Sequence, residues 1–176
     1  MELFKNKNPE KIVHLKNASA KLRENENYVI AVVKKFGLAE LEHVSFELIK
    51  NAKFLLKLVK EVPQAVAIIP EEVDCKYKEG DKEIEVKELG ANLAFLAYMR
   101  DDEVYKYMHP EHALRAREFE EEGLNVMFMF GGEPYKYFYS GDKDENVAKL
   151  DKLRPDVKEL AEKLKEKDNG DSESSL

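Results

Sequence analysis

The stretch VDCKYKEGDKEIEVK, Val73 to Lys87, decides the fold class of this chain. Val73, Cys75 and Tyr77 alternate with Asp74, Lys76 and Lys78, the period of a strand with one packed face and one wet face. Glu79-Gly80-Asp81-Lys82 supplies turn residues, and Ile84 and Val86 resume the alternation on the return. The pattern predicts a β-hairpin with Cys75 on its packed face.

Upstream, AVAIIP (Ala65–Pro70) reads as a buried strand. The segment from Leu38 to Val62 reads as one long helix closed by Pro63. Its stripe of Leu41, Val44, Leu48, Ala52, Leu55 and Val59 is widened by Phe46, Ile49, Phe54 and Leu58, which implies burial on more than one side or against another subunit. YVIAVV (Tyr28–Val33) is short and rich in β-branched residues, so it reads as another buried strand. The chain opens with a helix that Asn8 caps and Pro9 starts, with Ile12, Leu15, Ser19 and Leu22 on one face.

Downstream, GANLAFLAYM is apolar nearly all round and predicts a core helix. Asp101 and Asp102 cap a helical turn reaching Tyr107. A helix follows from Pro110 to Glu122 and stops at Gly123, suited to a left-handed C-terminal position. NVMFMFGGEPYKYFYSG reads as a second hairpin with Gly131 and Gly132 in its loop and VMFMF buried on both faces. A charged helix runs from about Pro155 to Lys167. Hairpins and helices mix without βαβ alternation, so the prediction is a single α+β domain over residues 1–167, with 168–176 as a disordered tail.

Bulk properties narrow the function classes. A chain of 176 residues with 43% hydrophobic content supports one sizeable core. No apolar run is long enough for a membrane span, and MELFKNKNPEK carries charge where a secretory signal needs an apolar stretch. Cys75 is the only cysteine, which fits a reducing compartment and excludes a cysteine cage for zinc within one chain. The expected location is cytoplasmic. A net charge of −7, with Lys and Glu interleaved, argues against a nucleic-acid binder. The charged fraction of 37% and the single glutamine lean towards a thermophilic source.

The chemistry-bearing candidates are few. His109 and His112 would be the N-cap and third residue of their helix, facing the same way, and could share a divalent metal with a carboxylate, Asp102 first and Asp101 or Glu111 otherwise. That set lacks the HExxH form with its built-in base; two polar residues at a helix start is the plainer reading. Glu118, Glu120, Glu121 and Glu122, offset by Arg115 and Arg117, read as a solvated charged face. The aromatics of the second hairpin, Phe128, Phe130, Tyr135, Tyr137, Phe138 and Tyr139, suit either base stacking or sheet packing, and packing is preferred. GGEP lacks the Walker ending and the GxGxxG spacing, and no GxSxG occurs. Cys75 reads as a small core residue.

The sequence therefore points first to a non-enzymatic binding or assembly module that needs no cofactor, works through protein–protein contacts and self-associates. The alternatives are a metal-dependent hydrolase using His109, His112 and a carboxylate, and an acidic component of a nucleic-acid-processing complex.

Overall fold

The computed structural model describes residues 11–123, 125–137 and 141–174. Strand β1 (Glu72–Glu79) pairs antiparallel with β2 (Lys82–Leu89), Cys75 opposite Val86 and Glu79 opposite Lys82. Val73 and Cys75 are buried while Lys76 and Lys78 are exposed, so the alternation sets the register as expected. The second hairpin pairs β3 (Val126–Phe130) with β4 (Glu133–Tyr137) through Gly131 and Gly132, both at positive φ. Each sheet has two strands among the described residues. The loop of the second hairpin rests on the first: a Cβ at Gly132 would stand 2.6 Å from the Tyr77 ring, and the Gly131 amide donates to Glu88 at 3.2 Å.

Three upstream predictions are corrected, and for related reasons. YVIAVV is not a strand: it lies in helix α2 (Glu26–Phe36), which follows the short α1 (Ala20–Arg23). Asn25 caps α2 by accepting from the Tyr28 amide at 2.9 Å. Tyr28, Val29, Ile30, Val32 and Val33 are all buried, so the helix shows no wet face across this run and its period is hidden. The single helix over Leu38–Val62 is instead a 3₁₀ segment (Leu38–His43), α3 (Phe46–Lys50) and α4 (Ala52–Glu61). Ser45 and Asn51 break it by accepting from the Leu48 and Phe54 amides, at 3.2 and 2.9 Å. AVAIIP falls in and just after a 3₁₀ segment, Pro63–Ile68, with adjacent Ala65 and Val66 both buried, which a strand with one packed face would not give.

The opening helix also differs. Asn8, Pro9 and Glu10 lie outside the described residues. Further on, Leu15–Asn17 forms a 3₁₀ turn, and Ser19 is not a helix-interior residue but the N-cap of α1, accepting from the Leu22 amide at 3.2 Å.

Downstream, α5 (Gly90–Arg100) leaves β2 directly and is the core helix, with Leu93 to Tyr98 all buried. Its start requires glycine, because a Cβ at Gly90 would lie 1.9 Å from the Pro70 carbonyl oxygen. Asp101 caps the 3₁₀ segment Asp102–Tyr107. Helix α6 (Pro110–Glu122) ends at Gly123 with φ 64° and ψ 37°, the left-handed geometry expected. Helix α7 (Lys143–Leu153), capped by Asp142, has no counterpart in the sequence reading. Helix α8 (Pro155–Ser174) runs on past Lys167.

These elements form a single α+β domain around one core. Phe54, Leu55, Leu58, Leu93, Leu96 and Tyr105 lie at its centre, each below 3% exposure. Each of the leucines and Phe54 contributes about 1.5–3 kcal/mol on burial. The apolar stripe of the Leu38–Val62 segment is largely spent inside this core, with Leu41, Leu48, Leu55 and Val59 buried, while Phe46 is 67% exposed. Among the described residues no helix is long and apolar enough to cross a membrane.

Candidate functional site

The structure brings His109 and His112 together but not Asp102 to them. His109 is the N-cap of α6, and its Nδ1 accepts from the Glu111 amide at 3.3 Å. The two imidazoles lie 5.5 Å apart, centroid to centroid. His112 Nδ1 is buried with no hydrogen-bond partner among the described residues. Burial and the neighbouring His109 hold His112 below its ordinary pKa. Asp102 is bonded to Lys149 at 2.6 Å and lines a cavity whose wall includes neither histidine. Among the described residues no group of three His, Cys, Asp or Glu side chains could hold a metal ion.

That cavity, about 390 Å³, is bounded by α5, the Asp102–Tyr107 segment, α6, β4 and α7. The carboxylate of Glu120 sits in its wall at 4% exposure. Tyr98 OH donates to Glu120 Oε1 at 3.5 Å, and Asn146 Nδ2 donates to Oε2 at 3.3 Å. Lys149 stands at the rim beside Asp102, and Lys136 reaches in from β4. Burial raises the Glu120 pKa, against the two hydrogen bonds, while the charge of Asp102 raises it further and Lys149 opposes. Burial and Glu120 together push the Tyr98 phenol well above its usual range. The arrangement holds a carboxyl group away from water with neutral donors on it.

This corrects the reading of Glu118–Glu122 as a wholly solvated face. Ala113, Ala116, Arg117 and Glu120 form the buried side of α6, at the spacing of one helical stripe. Arg117 is compensated inside: Nε and Nη2 donate to Asp151 at 2.7 and 3.2 Å, and Nη1 to Glu121 at 2.9 Å. Lys165 also pairs with Glu121. Sequence reasoning missed Glu120, Tyr98, Asn146 and Lys149 as a group. The available signal was the continuation of the Ala113–Ala116 stripe onto polar residues.

The second hairpin has one packed and one open face. Phe128 and Tyr137 pack on Phe95 of α5, ring centroids 5.9 and 5.7 Å apart, and Phe128 stacks on Tyr135. These rings serve the core; Phe138 and Tyr139 lie outside the described residues. VMFMF is not buried on both faces: Met127 is 68% and Met129 59% exposed, opposite Lys136 and Pro134. In the glycine loop, the Gly131 amide already faces the Glu88 carboxylate. Cys75 is buried, and burial with the charges of Glu88 and Asp74 pushes its thiol up to about 11, so it is protonated at neutral pH.

Comparison with protein-family models, curated proteins and solved structures finds no match to this chain.

Proposed function

We propose that this protein is a non-enzymatic binding module that acts through protein–protein contacts, and that its first partner is a second copy of itself. The supporting observation is the state of β3. Val126–Phe130 contains neither charge nor proline, and among the described residues only β4 is hydrogen-bonded to it. Natural edge strands are usually guarded by lysine, proline or a bulge. β4 carries both Pro134 and Lys136 and is guarded in this sense; β3 is not.

An unguarded strand can pair with its own copy about a two-fold axis, the commonest symmetry of oligomers. Such pairing would join the two hairpins into a four-stranded sheet and set Met127 and Met129 of each copy side by side across the seam, covering part of each. Methionine suits this role because its flexible thioether side chain adapts to irregular surfaces. Each such cross-strand contact would contribute about 0.2–1 kcal/mol.

Light scattering on the full chain at micromolar concentration tests the proposal. The expected result is a dimer mass for the wild type and a monomer mass for the Met127→Lys/Met129→Lys variant, whose substitutions lie on an exposed face. A wild-type monomer that persists on concentration would overturn it.

A further inference from the structure

The cavity at Glu120 belongs to neither the His pair nor the hairpin edge, and it carries its own inference. A carboxylate at 4% exposure needs either a buried cation or a place to lose its charge. Glu120 has no cation within ion-pairing distance among the described residues, and its hydrogen bonds come from a phenol and an amide, both neutral. The nearest candidate, Lys149, is taken by Asp102. By contrast Arg117, one turn earlier and equally buried, has its counter-ion in place. The difference is that Glu120 opens onto about 390 Å³ of space, within the range of small-ligand sites.

We infer that this cavity is a binding site for a small primary ammonium compound, with Glu120 as its counter-ion. The ammonium group would complete the unfilled acceptor capacity of Glu120 with charge-assisted hydrogen bonds, which are stronger than those it now receives. Met99, Tyr137 and Leu150 offer apolar surface for a short alkyl chain. An anionic ligand fits less well. The cations that line the cavity are Lys149, already paired with Asp102 and 58% exposed, and Lys136, exposed on β4, while the carboxylates of Glu120 and Asp102 in the same lining repel an anion.

The test uses the full chain and butylamine as the probe, with butyrate and butanol as matched controls at constant ionic strength and neutral pH. Binding is read from amide chemical shifts by NMR. Butylamine is expected to give saturable shifts at Tyr98, Glu120 and Asn146, and butyrate and butanol are expected to give none. Glu120→Gln, which keeps the shape and removes the charge, is expected to weaken butylamine binding at least tenfold. Lys149→Met changes only a rim residue and releases Asp102, so it is expected to tighten binding severalfold. The inference is overturned by wild-type affinity in Glu120→Gln, by equal binding of butyrate or butanol, by an absence of saturable shifts, or by unchanged or weakened binding in Lys149→Met.

Discussion

Replacing Arg117 with methionine isolates what holds α6 to α7. The Arg117 side chain is 8% exposed and Asp151 15%, so the pair sits in the interior rather than on the surface. Methionine approximates the aliphatic stem and keeps the packing, but removes the donors at 2.7 and 3.2 Å from the Asp151 oxygens. The stranded carboxylate then lies beside an apolar side chain. Breaking a buried ion pair from one side costs about 3–5 kcal/mol, most of it the uncompensated charge. Glu121 adds little to this, because it is 35% exposed and keeps its partner Lys165. For a domain of this size each kcal/mol lowers the melting temperature by about 2–4 °C. Arg117→Met is therefore expected to lose about 6–20 °C. Urea denaturation followed by circular dichroism measures the free energy directly, provided the slope is unchanged. Adding Asp151→Leu removes the stranded charge, so the double variant is expected to recover most of the loss. The reasoning fails if Arg117→Met stays within about 1 kcal/mol of wild type, as an exposed pair would, or if the double variant is no better than the single one.

Gly90→Ala places a Cβ 1.9 Å from the Pro70 carbonyl oxygen, so the start of α5 must shift from the backbone at Pro70, between the Pro63–Ile68 segment and β1. The expected cost is at least about 1–3 kcal/mol by thermal melting, and a neutral effect would mean that the β2–α5 junction is wrongly described. Cys75, buried with its thiol raised to about 11, is expected to react with a thiol reagent only after urea unfolding; fast labelling of the native protein would imply a one-residue slip of β1. Glu120→Gln bears on pH dependence, in the field of Tyr98, Asp102, Asn146, Lys149, Lys136 and Tyr137. Because burial raises the folded-state pKa of Glu120, its stabilising contribution is full below the unfolded carboxylate pKa and is lost as pH rises through the folded value. Melts across pH should find Glu120→Gln more stable than wild type at neutral pH, with the advantage shrinking in acid; parallel curves would show that Glu120 is not held from water.

How much of this was legible depends on whether each residue's period matched its burial. β1 and β2 were, because Val73, Cys75 and Tyr77 point in while their neighbours point out. Helix α6 was bounded correctly because Pro110 and Gly123 impose backbone geometry whatever the core does. YVIAVV was not, since an unbroken apolar run fits a buried strand and a well-buried helix equally; the local signal against a strand was Asn25, whose side chain caps the helix. The breaks at Ser45 and Asn51 were hidden in the same way, inside an apolar stripe that continued across them.

The candidate site was the least legible because it depends on charged residues at core positions, which pattern reading assigns to the surface. Arg117 and Glu120 occupy the same stripe of α6, yet the chain treats them differently. It brings Asp151 from α7 to neutralise Arg117 with two hydrogen bonds, and the result is a staple between helices. Beside Glu120, α7 instead places Asn146, a neutral donor, and turns Lys149 to Asp102. A fold that needed only stability would gain by supplying a cation there or by replacing the carboxyl with an apolar side chain. A charge kept buried, hydrogen-bonded and open to a cavity is costly to the fold, and the cavity beside it is where a ligand could offset that cost.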